Sequence, residues 1–116
     1  MSTNVTLRPA VAEALTAWPG AIPPILTGIA GWLARPGFAA EPMTVAYTRD
    51  LAGAYATTHI ERQADRRTPA RDKAALVVGL RGTILDLLPR ILPDETCGAY
   101  AARITVPVDN RRAVAL

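Results

Sequence analysis

The chain has 116 residues, half of them hydrophobic and a fifth charged, a composition typical of a globular domain and unlike that of a disordered tail. Its net charge is only +3, which permits a nucleic-acid partner without predicting one. One cysteine, Cys97, and one histidine, His59, exclude internal disulfides and metal sites that need several such ligands. We therefore predict one domain over residues 1–116, with no metal or other cofactor.

The first third of the sequence lacks the pattern of a signal peptide or a membrane helix. Glu13 and Pro19 interrupt the apolar residues near the start. The most apolar stretch, 21–34, has about 14 residues, whereas a membrane span needs about 20. We expect a cytoplasmic protein, or one held within an assembled particle, and no membrane partner.

Prolines and glycines divide the first part of the chain into two predicted helices. Pro9 begins the first, which Pro19 ends, and Trp18 lies on its apolar face. The second runs from Pro23 to about residue 35, because Pro36 and Gly37 follow. Its interior glycines, at positions 28 and 31, indicate either close approach of another backbone or a frayed helix.

A third helix is predicted from about Thr44 to Arg67. Every fourth residue in its centre belongs to one row, formed by Tyr47, Leu51, Tyr55 and His59. Residues 43–48 also suit a short strand, but a helical pattern that continues over several turns favours the helix.

A fourth helix is predicted over 68–92, with a start at Thr68 and Pro69 and a regular end near Leu88, before Pro89. At about 100° per residue its aliphatic side chains cover an arc of about 200°. A helix at the surface needs little more than 100°, so we expect this one to be central, with neighbours on two sides. Its most buried residues should be Leu80, Ile84 and Leu87.

Pro93, Asp94 and Glu95 predict the start of a last helix that reaches Ala102 or Arg103. The tail, 103–116, is consistent with a short β-hairpin or with an extended arm that packs on another subunit. The fold class is thus mainly α, a small single-domain bundle of four to five helices.

Catalytic motifs find little support. His59 and Glu61 match the H-x-E of zinc deaminases, but the P-C-x-x-C that should follow is missing. Asp50 and Glu61 lie about 16 Å apart along one helix, which is too far for a glycosidase pair. Spacing alone leaves a Cys97–His59 nucleophile pair open, although a buried structural cysteine is favoured.

Basic residues surround the break between the third and fourth helices, and a helix-turn-helix protein would use such residues to contact DNA. Neighbouring acids dilute their field, which favours a solvated helix end. We retain these residues as candidates for partner binding, together with two arginines of the tail and one of the fourth helix: Arg62, Arg66, Arg67, Arg71, Lys73, Arg81, Arg111 and Arg112.

Arg81 projects into the apolar arc of the fourth helix. Because a buried guanidinium needs acceptors around it, we predict an ion pair with Asp50 or Glu61, which lie on the third helix. The alternative is that this part of the arc faces a partner or a pocket.

The segment LRGTILDLLP, Leu80 to Pro89, resembles the LRGHxxLLxP segment of a family of small, uncharacterised actinobacterial proteins associated with natural-product biosynthesis. Thr83 replaces the histidine of that segment and Asp86 replaces a leucine. The resemblance implies a small helical accessory protein and no catalytic residues.

The sequence thus predicts a protein that binds and does not catalyse. The leading interpretation is an interaction or assembly subunit, self-associating or docked on another protein, which includes components of virions and other large complexes. The alternative is a nucleic-acid-binding regulator that uses the Arg62–Lys73 cluster.

Overall fold

The computed structural model describes residues 17–18, 20–64 and 67–106. These residues form a mainly α-helical domain, as predicted, and no strand is found among them. In chain order, the helices are α1 (Ile22–Leu33), α2 (Val45–Gln63), α3 (Ala70–Leu87) and α4 (Cys97–Arg103). The predicted helix over 9–18 and the tail beyond residue 106 lie outside the described residues, apart from Ala17 and Trp18.

Helix α1 contributes more buried residues to the core than any other described helix. Its buried residues recur at helical spacing and lie between α2 and α4. They are Ile22, Ile25, Leu26, Ile29 and Leu33. One interior glycine serves close packing: a methyl group at Gly28 would lie 2.7 Å from Tyr55 Cε1 of α2. Open space surrounds the same position at Gly31.

Helix α2 begins at Val45, which confirms the helix over the alternative strand. The Thr44 side chain caps it by accepting a hydrogen bond from the Tyr47 N–H at 3.3 Å. Its four buried residues are Leu51, Ala52, Ala56 and Ile60, and the two alanines have no exposed surface. The chief neighbour of α2 is α3, and α2 also contacts α1.

Helix α3 contains the predicted buried residues, since Leu80 and Ile84 are fully buried and Leu87 nearly so. The prediction that it is the central helix was wrong. It packs chiefly against α2, and Val78 is 68% exposed. An apolar arc counted from sequence includes every aliphatic residue, whereas one neighbouring helix covers only the arc around Leu80. Pro69, and not Thr68, is the residue that precedes the first helical turn.

Helix α4 ends at Arg103, as predicted, but begins at Cys97 and not at residues 93–95. Thr96 caps it by accepting a hydrogen bond from the Ala99 N–H at 3.2 Å. Asp94 adopts a left-handed φ of 58°, which turns the chain before the helix starts. An antiparallel bridge between Pro42 and Thr96 then fixes α4 beside the loop that joins α1 to α2.

No helix in the described part of the chain is both long enough and apolar enough to span a membrane.

Candidate interaction surface

The predicted basic residues around the connection between α2 and α3 do not form one uninterrupted positive surface. Arg62, Arg67 and Arg71 are exposed, whereas Lys73 Nζ lies 3.7 Å from a carboxylate oxygen of Glu61. The ion pair takes one positive charge out of the cluster, and Asp72 adds a negative one within it. Arg66, Arg111 and Arg112 lie outside the described residues.

Arg81 is exposed and forms no ion pair within the described part of the chain, so the predicted pair with Asp50 or Glu61 is wrong. Its aliphatic stem instead crosses Gly53 of α2, where an added methyl carbon would lie 3.8 Å from Arg81 Cδ. The arginine stem thus passes over α2 and keeps its charge in water. Glu61 forms an ion pair with Lys73 instead.

Two adjoining cavities flank His59. The larger, about 610 Å³, lies between Trp18, Ile60 and Leu76. The smaller, about 440 Å³, is also lined by Arg62. Among the described residues, neither lining includes a carboxylate or a thiol that would complete an acid–base or nucleophilic pair with the imidazole.

Cys97 is fully buried and lies far from these cavities. Its Sγ is 3.8 Å from the carbonyl oxygen of Pro42, just before α2 begins, whereas His59 is near the other end of α2. Val45 and His59 are fourteen positions apart on the helix, or about 21 Å at about 1.5 Å per residue. Burial, reinforced by the charge of Glu41, raises the pKa of the thiol. The structure therefore does not bring Cys97 and His59 together.

The shorter of the two ion pairs among the described residues joins Arg103 to Glu95, and its role is structural. Arg103 Nε donates to Glu95 Oε2 at 2.6 Å, and a second guanidinium nitrogen donates to Glu95 Oε1 at 2.7 Å. This bidentate contact, with the Leu92 N–H as a further donor, lowers the pKa of Glu95 to about 2 against the opposing effect of burial. Tyr100, whose hydroxyl donates to the Pro89 carbonyl at 2.7 Å, has its pKa raised to about 12 by burial. These bonds hold the α3–α4 connection against α4.

Three aromatic rings form a half-buried cluster at the end of α1. The Trp32 and Phe38 ring centroids are 4.6 Å apart, and those of Phe38 and Tyr47 are 5.3 Å apart. The Arg35 guanidinium stacks 3.9 Å from the Trp32 centroid. All four residues help to order the turn between α1 and α2.

The side of α3 that points away from the core is the largest feature that the sequence interpretation missed. At about 100° per residue, seven residues lie within about 120° of one another, centred opposite Leu80. We call them the outer face: Arg71, Ala74, Ala75, Val78, Gly82, Leu85 and Asp86. Gly82 and Leu85 are half-buried and the other five are exposed.

Val78 is at the centre of the outer face, and opposite charges, Arg71 and Asp86, are at its ends. The signal was in the sequence, because Val78 projects about 160° from Leu80 on the helical wheel. Because Val78 was counted within one broad apolar arc, the outer face was not distinguished from the buried side of the helix.

The described residues contain no group of three or more potential metal ligands. No protein-family model matches the chain, and comparison with curated proteins and with solved structures finds no significant match.

Proposed function

We propose that this chain is a non-enzymatic interaction or assembly subunit, and that it binds its protein partner through the outer face of α3. The observation that carries the proposal is Val78, a β-branched aliphatic residue that is 68% exposed in the middle of an 18-residue helix. Small residues surround it, and a charged residue lies at each end of the face.

The glycine and the valine of the outer face have low helix propensities, so they reduce the stability of an exposed helix. Each interior glycine costs about 1 kcal/mol relative to alanine, and valine also has a lower helix propensity. No atom lies within 4 Å of the position that a methyl group would take at Gly82, so packing within the chain does not require a glycine there. A partner helix that approaches closely and buries Val78 would offset these costs, since burial of one valine side chain contributes roughly 1.5–3 kcal/mol.

The alternative class, a nucleic-acid-binding regulator, has less support. Lys73 pairs with Glu61, and the acids at 61 and 72 lower the positive potential that a phosphate backbone would meet. The proposal takes the chain to act in the cytoplasm or inside an assembled particle, in keeping with the accessory role that the LRGTILDLLP resemblance implies.

The test is photo-crosslinking in the cells that make the protein. A photoreactive amino acid replaces Val78 in one variant and Val45, a 56% exposed valine of α2, in the control. We expect a discrete protein adduct from position 78 and none from position 45. Adducts from neither position, or equal labelling from both, would overturn the proposal.

A further inference from the structure

We infer that the partner on the outer face is a second copy of this chain, with the two α3 helices packed antiparallel about a two-fold axis between residues 78 and 79. This inference rests on the proposed function and names the partner. It comes from the order of charges and of side-chain sizes along α3.

The charges at the two ends of the outer face are complementary only in one orientation. Arg71 and Asp86 are both exposed, and neither forms an ion pair within the described residues. They are 15 residues apart, or about 22 Å along the helix. An antiparallel second copy centred between 78 and 79 brings each Arg71 beside the Asp86 of the other chain, which forms two ion pairs. A parallel copy would place like charges together, which opposes association in that orientation.

The shape of the surface agrees with the same centre. Ala75, Val78, Gly79 and Gly82 stand at positions i, i+3, i+4 and i+7, which form a hole of the kind that accepts one side chain from a facing helix. Three of the four are alanine or glycine, so the hole is shallow, and the Trp18 ring borders it at Gly79, where an added methyl carbon would lie 3.7 Å from Trp18 Cζ2. The two-fold axis passes through its centre, and Val78 of the second copy fills it. Valine is the largest of these four side chains, which makes each copy both knob and hole.

The expected interface is small. A seam along one helix of 18 residues belongs to the low end of specific interfaces, below about 1,200 Å² in total. Association should therefore be reversible and weak, with a Kd of roughly micromolar order. Arg71 and Asp86 lie at the rim, where charge pairs chiefly select the orientation of the complex.

The experiment is sedimentation equilibrium of full-length variants with exchanged charges. Arg71→Glu and Asp86→Arg should each weaken self-association by more than about tenfold, since each creates two like-charge contacts. Mixing the two variants should restore association, because the introduced glutamate of one chain then faces the introduced arginine of the other, while the native Asp86 faces the native Arg71. The double variant Arg71→Glu with Asp86→Arg should also dimerise. Circular dichroism of each variant verifies that it is folded.

Val78→Lys should abolish association, whereas the matched control Val45→Lys should leave it unchanged. Wild-type protein that remains monomeric at every concentration overturns the inference. So does a dimer that tolerates Val78→Lys, or single variants that fail to rescue each other. The crosslinking test separates the two levels: an adduct at position 78 with a different protein keeps the proposed function and refutes the second copy.

Discussion

Ile84→Ala is the sharpest test of the packing between α2 and α3. Ile84 has no exposed surface, and it lies on α3, whose chief neighbour is α2. The substitution removes three carbon atoms, each worth about 0.8 kcal/mol of transfer free energy when buried. The cavity left behind adds to this, so we expect a loss of about 3–4 kcal/mol in the free energy of unfolding, within the usual range of about 2–5.

Chemical and thermal denaturation, followed by circular dichroism, measure the loss. For a domain of this size, about 3 kcal/mol corresponds to a decrease in Tm of roughly 12 °C. The matched control is Val78→Ala on the same helix, measured in dilute protein. Because Val78 is mostly exposed and alanine is the better helix former, its stability should change by less than about 0.5 kcal/mol. Equal effects of the two substitutions would refute the assignment of inner and outer sides to α3.

Three further predictions concern α4, acid stability and nucleic acid. Gly98→Ala puts a methyl group 2.9 Å from the Ala39 Cβ and should lower Tm. Gly82→Ala meets no atom within 4 Å and should stabilise dilute protein by about 1 kcal/mol. Equal melting curves of the two variants would contradict this contrast. Because the pKa of Glu95 falls from 4.5 to about 2 on folding, its stabilising effect is complete above about pH 4.5 and disappears as the pH falls toward 2. When the free energy of unfolding is measured against pH, Glu95→Gln should lack this acid-dependent component. An unchanged pH profile in the variant would show that the Arg103 contact is absent in solution. Fluorescence anisotropy with duplex DNA at physiological salt should show only non-specific binding, with a Kd of about 10⁻⁴–10⁻⁶ M, and nanomolar sequence-selective binding would favour the regulator instead.

Local signals in the sequence were sufficient for much of the fold. Thr44 caps α2, prolines and glycines bound α1, and the spacing of Leu80, Ile84 and Leu87 identified the buried row of α3. These features depend on neighbours within one or two helical turns, which sequence spacing displays directly.

Contacts between helices were harder to predict, because they depend on which faces meet. The pairing expected for Arg81 is wrong because its side chain passes over Gly53 of α2 into solvent, a path that a helical wheel of one helix cannot show. The position of the helix over 68–92 was wrong for a related reason: it has one principal neighbour, whereas α1 contacts α2 and α4 and α2 contacts α1 and α3. The outer face of α3 emerged only when burial separated Val78 from Leu80.

Cysteine footprinting in intact cells tests most directly whether the outer face of α3 is covered by a partner. Cys97 is a silent background, because it is fully buried and its thiol pKa is raised. The thiol introduced by Val78→Cys should react with a maleimide several-fold more slowly in cells than in dilute purified protein, while that of Val45→Cys should react at the same rate in both. Equal rates for Val78→Cys in cells and in dilute solution would contradict the account, because they would show that this surface stays open to water.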